Sequence, residues 1–301
     1  GGIWNGGMLY VHGSVQVSGN HRGTANNNIF LPDGKYITMT DILADDASIY
    51  VSTEKISAKV TSGYSQYPYS TELIKPDADR VMVKEEDEVY SYSYYIERFS
   101  DGTSTKRPLR PGEYSNFAVP ESRVLASGVY FVDTLCRTIL GTLLCSGVRP
   151  VSDRLTVPSG AEVKLVLADG VQLTLEKGIN VAPSTNGESA TEGKLRIYGQ
   201  KNDTGKLIAK GEKYQAGVGG NEDNGNGLIE IHGGIVDATG GDYGAGIGTG
   251  DEAGQNGGNG YVTPISIYGG TVTAQGGLDG AGIGGGNESQ VKVFIYGGTV
   301  K

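Results

Sequence analysis

Between Gly193 and Lys301 the chain repeats one phrase several times. Ile197-Tyr198-Gly199 returns as Ile231-His232-Gly233-Gly234, as Ile267-Tyr268-Gly269-Gly270 and as Ile295-Tyr296-Gly297-Gly298. A second phrase follows the first three: Ala216-Gly217-Val218-Gly219, Ala245-Gly246-Ile247-Gly248 and Ala281-Gly282-Ile283-Gly284. Self-similarity of this kind marks a repeat architecture, in which each unit buries its apolar face only by stacking on a neighbour.

One repeat, Pro264 to Gly286, shows what the unit must be. Ile265 to Tyr268, Thr271 to Ala274 and Ala281 to Gly284 each alternate with period two, the signature of a strand. Ile265, Ile267, Val272, Ala274, Ala281 and Ile283 fall on one side; Ser266, Tyr268, Thr271 and Thr273 fall on the other. Three short strands with glycine-rich corners make one triangular coil, because glycine reaches positive φ without a Cβ clash. Stacked coils align their strands in parallel, roughly 4.8 Å apart, around an aliphatic interior. The expected fold class is all-β, a right-handed parallel β-helix, the hand following from the general preference for right-handed crossovers.

The rest of the chain divides around this repeat. Residues 1–95 read as the coils and cap of a first β-helix. Leu9-Tyr10-Val11, Val15-Gln16-Val17, Ile29-Phe30-Leu31, Tyr36 to Thr40 and Ser48 to Ser52 are strand-like, with Pro32-Asp33-Gly34 as a turn and Asn26, Asn27 and Asn28 as corner residues able to form side-chain ladders. Within residues 55–95, tyrosines (Tyr64, Tyr67, Tyr69, Tyr90, Tyr92, Tyr94, Tyr95) and acids (Asp77, Asp79, Glu85, Glu86, Asp87, Glu88) crowd together. They form either a hairpin that caps the open end of the solenoid or an aromatic, acidic binding face. Residues 96–150 read as an irregular linker or small β module; Val129 to Leu144 there is one helix or two strands. Residues 151–301 read as a second parallel β-helix, resuming with Leu155-Thr156-Val157, Val163 to Leu167, Val171 to Leu175 and Ile179-Asn180-Val181. The chain begins on Gly1-Gly2 and stops inside a repeat phrase, so it is expected to be part of a longer protein.

Composition narrows the partners. More than half of the 50 glycines follow residue 210, and no collagen period is present. A formal net charge of −9 argues against a nucleic-acid partner. No apolar run is long enough to cross a bilayer. Cys136 and Cys145 are either a disulfide closing a short loop or two small apolar strand residues, and the three histidines His12, His21 and His232 are remote from them in sequence.

Several segments together carry a family resemblance. Leu165-Val166-Leu167-Ala168-Asp169-Gly170, Lys177-Gly178-Ile179, Leu195 to Gln200 and the Gly-Ala-Gly-Ile-Gly phrases resemble the β-helix modules of large surface proteins of anaerobic Gram-positive bacteria. Residues 8–54, with Gly19-Asn20 and Asn28 to Gly34, resemble the adhesin-like coils of such proteins. The resemblance implies an exported, extracellular, cell-surface role of adhesin type. It supplies no catalytic residue.

Three kinds of site chemistry are open to such a chain. Tyr198, His232, Tyr268 and Tyr296 share one outward register, with Arg196, Glu230, Ser266 and Phe294 in the next. This column is either a glycan-binding face built from rigid aromatic rings or a stacking ladder that stabilises the sheet. Acids in glycine- and asparagine-rich corners (Asp203, Asp223, Asp242, Asp251, Glu252, Asp279, Glu288) are candidate Ca²⁺ ligands, or simply solvated loop residues. No organic cofactor is expected. Catalysis of the polysaccharide lyase or hydrolase type would need Glu230 and Asp237 to converge with Arg196 or Lys206, but the alignment sets Asp237 beside Thr273 and Glu230 beside Ser266. The expected function is that of a non-catalytic adhesin fragment which binds glycan or a host or cell-surface molecule; an enzyme and a structural spacer are the alternatives.

Overall fold

The fold was analysed in a computed structural model, which describes residues 2–55, 57–63, 66–67, 71–86, 88–133, 135–139, 142–146, 150–185, 191–253 and 261–301. Tyr64, Tyr69 and Asp87 lie outside the described residues. The chain forms two compact units, Gly1–Tyr94 with Lys106–Gly112, and Tyr95–Thr105 with Glu113–Lys301.

The second unit is a parallel β-helix of three sheets. The first sheet runs Ser115–Asn116, Gly128–Val132, Glu162–Leu167, Lys194–Gly199, Leu228–Ile231, Ile265–Ile267 and Val293–Ile295. The second holds Gln172–Leu175, Lys206–Lys210, Ile235–Thr239, Thr271–Gln275 and Thr299–Val300. The third holds Leu155–Val157, Ile179–Val181, Val218–Gly219, Ile247–Gly248 and Ile283–Gly284. All neighbours pair in parallel, and like meets like: Leu195↔Ile229↔Ile265, Ile197↔Ile231↔Ile267 and Val218↔Ile247↔Ile283. The inward residues Leu195, Ile197, Leu207, Val218, Ile229, Ile231, Val236, Ile247, Ile265 and Ile267 are fully buried. Each contributes about 1.5–3 kcal/mol by leaving water.

Residues 96–150, expected as a linker or small module, are divided by the fold. Ser115–Asn116 and Gly128–Val132 are already rungs of the first sheet, and Tyr130↔Leu165 and Phe131↔Val166 continue its register. The apolar stretch from Val129 to Leu144 is strand, not helix: Leu135–Ile139 and Thr142–Ser146 form an antiparallel hairpin that sets Cys136 opposite Cys145 along the backbone. The alternation in the sequence was short there, so helix and strand could not be separated by period.

The first unit is also a parallel solenoid. Ile3–Trp4, Ile29–Leu31, Ser48–Thr53 and Ile74–Pro76 make one sheet, with Gln16–Val17 joining Ser48–Thr53; Leu9–Gly13, Ile37–Leu43 and Thr61–Ser62 make another. Val11, Ile29, Leu31, Ile37, Met39, Ile49, Val51 and Ile74 fill it. The asparagine corner works differently from a ladder: Asn28, 3% exposed, accepts from the Asn20 backbone and donates to Asp77 at 2.6 Å. Val81–Glu85 and Glu88–Tyr92 pair antiparallel, and Ala58–Lys59 joins them. Val89 is buried in the core of this unit, and Tyr92 and Tyr94 are buried as well.

Two local devices hold the second solenoid's third corner. Gly219, Gly248 and Gly284 have φ of 137°, 141° and 141°. A Cβ on Gly219 or Gly248 would stand 1.8 Å from the carbonyl oxygen of Gly248 or Gly284 in the next coil. Arg154 binds the same corner from outside: its guanidinium donates to Asn221 Oδ1, Lys177 O, Ala216 O, Gly219 O and Gly220 O. Burial holds its pKa down, at about 10. Replacing Arg154 by Met would strip several buried carbonyls of their donor. The expected loss is about 3 kcal/mol or more of unfolding free energy by urea titration, and Arg154→Lys should not restore it, since an ammonium lacks the planar fork. Gly248→Ala should be destabilising by a comparable amount, because two coils must separate to admit the methyl.

Candidate functional site

The repeat phrase does build a column. Ring centroids lie 4.6 Å apart for Tyr198–His232, 4.6 Å for His232–Tyr268 and 5.0 Å for Tyr268–Tyr296, with interplanar angles of 16°, 11° and 11°. Parallel pairing dictates this: residues in one register sit one strand spacing apart, and flat rings at that spacing stack. The expected exposed face, however, is not what the column presents. His232 and Tyr268 each have a ring stacked on both faces, and Tyr198 has His232 stacked on one face and Tyr95 tilted against it at 52° and 4.6 Å. Tyr198 is fully buried, His232 is 5% exposed, Tyr268 is half-buried, and only Tyr296, at 44%, is open. These side chains point away from the solenoid core, as the alternation requires, but they offer ring edges rather than sugar-sized flat faces. The stacking ladder is the reading that the geometry fits.

What covers the column is the hairpin tip of residues 95–105. Its turn is closed by Phe99 N–H to Thr103 O, Gly102 N–H to Phe99 O and the Asp101 carboxylate on Thr103. From it Arg98 lies along a trench made by Gly233 and Gly269, the first glycines of two successive Gly-Gly phrases. A Cβ on Gly269 would stand 2.5 Å from Arg98 Cδ, and one on Gly233 2.6 Å from Arg98 Nη1. The guanidinium donates to the His232 carbonyl at 2.5 Å and to both oxygens of Asp203. The Arg98 carbonyl in turn accepts from His232 Nδ1 at 2.8 Å. A carbonyl only accepts, so Nδ1 carries hydrogen; Nε2 is buried with no hydrogen-bond partner among the described residues and stands 3.8 Å from Glu230 Oε2.

Beside the column runs a ladder of charge. Arg196 is bonded to Glu162 on one neighbouring strand and to Glu230 on the other. Burial pushes the Glu230 carboxyl up, but its contacts with His232 and Arg196 outweigh that and hold it at about 2. Burial first, then the nearby Glu97, pushes the Tyr198 phenol up. Glu97, Arg98, Phe99 and Ser100 from the hairpin, with Arg196, Glu230, His232 and Tyr268 from the solenoid, line a pocket of about 410 Å³. Its lining carries two carboxylates and two guanidinium groups. Sequence reasoning placed the solenoid half of this site and missed the hairpin half. Arg98 lies 134 positions from His232, and only the Asp101-Gly102 turn hinted at a hairpin there.

The other candidates stay apart. Lys206 and Asp237 pair at 2.6 Å, on the second sheet. Asp203, Asp223, Glu252, Asp279 and Glu288 occupy corner positions with positive φ, where they serve the backbone turn. Asp242 is exposed, and Asp251 is 8% exposed. Among the described residues no group of three or more His, Cys, Asp or Glu side chains is placed to hold a metal ion.

The comparison with known families agrees with this architecture. The family model described as beta helix repeat matches residues 229–251 and 265–287, two coils that include His232 and Tyr268. No curated protein matches the chain, and no solved structure does. The protein is thus a parallel β-helix repeat protein.

Two consequences can be measured. Glu230 is ionised more readily in the folded chain than in the unfolded one, so its contribution is present above its ordinary pKa of 4.5 and is lost as pH falls toward about 2. In Glu230→Gln the fall in melting temperature over that window should be shallower than in the parent chain. Arg98→Ala should cost about 1–3 kcal/mol, because Asp203 and the His232 carbonyl lose a charged donor; the check is a thermal melt followed by near-ultraviolet circular dichroism of the tyrosine column.

Proposed function

We propose that this chain is a non-catalytic, adhesin-like module which acts outside the cell, at a cell surface, and binds glycan or another surface molecule through an outward face of its second β-helix. The observation that carries this reading is the state of the acid–base groups. The two pairs that could serve a polysaccharide lyase or hydrolase are each locked into an ion pair: Glu230 with an Arg196 that is shared with Glu162, and Asp237 with Lys206. Glu230 faces Ser266 and Asp237 faces Thr273 in the next coil, so neither meets a second carboxylate there. A carboxyl held at about 2 is no general acid at neutral pH. A rigid repeating surface whose Glu230 and Asp237 carboxylates are both held in ion pairs supports binding over bond cleavage.

A second reading, a spacer that holds other domains at a distance, is favoured by the closed stacking of Tyr198, His232 and Tyr268. The two are separated by screening the chain on a glycan and polysaccharide array, with calcium and with chelator, while assaying the same polysaccharides for new reducing or unsaturated ends. Binding that survives chelation without release of product is the expected result. Product formation that disappears in Glu230→Gln would sink the non-catalytic reading. Binding that vanishes with chelator would move the site to the acidic corners. An empty array in both conditions would leave the spacer.

A further inference from the structure

The column's ring faces are taken, so a ligand on this part of the solenoid must be recognised by something else. We propose that the pocket between the residue 97–100 turn and the Arg196, Glu230, His232 and Tyr268 wall is a saccharide subsite, selective for neutral, hydroxyl-rich units over acidic or amino sugars. It rests on the glycan-binding reading above and gives that reading a place and a ligand class.

Three features argue for this class. The first is charge. Arg196 is paired with Glu162 and Glu230, and Arg98 with Asp203; the lining holds Glu97 and Glu230 against Arg98 and Arg196. An ionic ligand would have to break one of these pairs and leave a partly buried charge without its partner. A hydroxyl need not: it can accept from a guanidinium N–H while donating to a carboxylate lone pair that the ion pair leaves over. Arg196 and Glu230 are neither sealed nor open, with side chains 22% and 16% exposed, so such a bond is reachable.

The second is shape and apolar contact. The volume, about 410 Å³, is within the range of sites that take one or two sugar rings. Phe99, 36% exposed at the rim, stands outside the stacked column. It supplies the ring face for the apolar side of a pyranose that Tyr198, His232 and Tyr268 cannot offer. Tyr268 contributes its hydroxyl edge, which donates to Glu230 Oε1 at 3.4 Å.

The third is rigidity. Arg98 is clamped by Asp203 and the His232 carbonyl, and the His232 ring is fixed by its bond to the Arg98 carbonyl and by a ring on each side. Both walls are therefore ordered before a ligand arrives, and little entropy remains to be lost on binding.

The test uses the full chain on a panel of immobilised neutral oligosaccharides, with uronate-containing and free-amino oligosaccharides as charged comparisons, followed by calorimetry on soluble hits. Phe99→Ala, at a solvent-facing turn, is the primary variant. Glu230→Gln, with its fold checked by circular dichroism, is the second. Tyr296→Ala reports on the one open ring face of the column. The expected result is binding to neutral sugars that weakens about tenfold or more in Phe99→Ala and in Glu230→Gln and is unchanged in Tyr296→Ala. Binding that ignores both pocket variants but falls in Tyr296→Ala would overturn the subsite and leave the glycan-binding module standing. A preference for uronates or amino sugars would overturn the ligand class. No binding of any saccharide by the parent chain would overturn the subsite and the glycan reading together.

Discussion

Everything in this protein depends on the in-register parallel ladder between coils. Each strand's backbone groups are satisfied by the coil above and the coil below, so a coil has no freedom to slide: a slip of one residue would turn its isoleucines to solvent and its tyrosines inward. Once the register is fixed, every inward side chain of the repeat acquires an apolar vertical neighbour. The interior becomes apolar columns, as in Leu195, Ile229 and Ile265 or Val218, Ile247 and Ile283. The same rule, applied to the outward positions, produces the stacked rings of Tyr198, His232, Tyr268 and Tyr296 and the alternating charges of Glu162, Arg196 and Glu230.

That rule also decides what the outer face can do. Placing aromatic residues in every coil looks, on paper, like a way to make a broad sticky surface. In three dimensions the rings turn toward one another along the solenoid axis and consume their own faces. What remains for a ligand are edges, hydroxyls and the polar groups next to them. The regularity of this face is interrupted where the hairpin tip of residues 95–105 lies against it.

The sequence carried the fold with little loss, because period and phrase are properties of single strands and their neighbours. The pairing of Glu230 with Ser266, of Asp237 with Thr273 and of Tyr198 with His232 could all be read by laying one repeat over the next. Burial could not. Nothing in the phrase Ile231-His232-Gly233-Gly234 says that the histidine lies under a distant arginine, and nothing near Arg98 says that it lies in a trench of glycines. The stack of Gly233 and Gly269 reads as corner geometry in the sequence; it also makes room for a side chain from elsewhere. Contacts between a repeat and a non-repeating segment leave no period, which is why the solenoid half of the pocket was visible and the hairpin half was not. The corner acids recur for a related reason: Asp223, Glu252 and Asp279 each hold a left-handed turn, and such turns recur with the coils.

The course of Arg98 has a mechanical meaning as well. A solenoid under tension along its axis opens like a zip, since each coil is held only by the next and the load falls on one ladder at a time. Arg98 touches three coils at once: it grips Asp203, bonds the carbonyl of His232 and lies across Gly269. It therefore acts as a rivet, tying together rungs that would otherwise part in sequence and spreading the force over all of them. The residue that fastens these three coils together also lines the pocket.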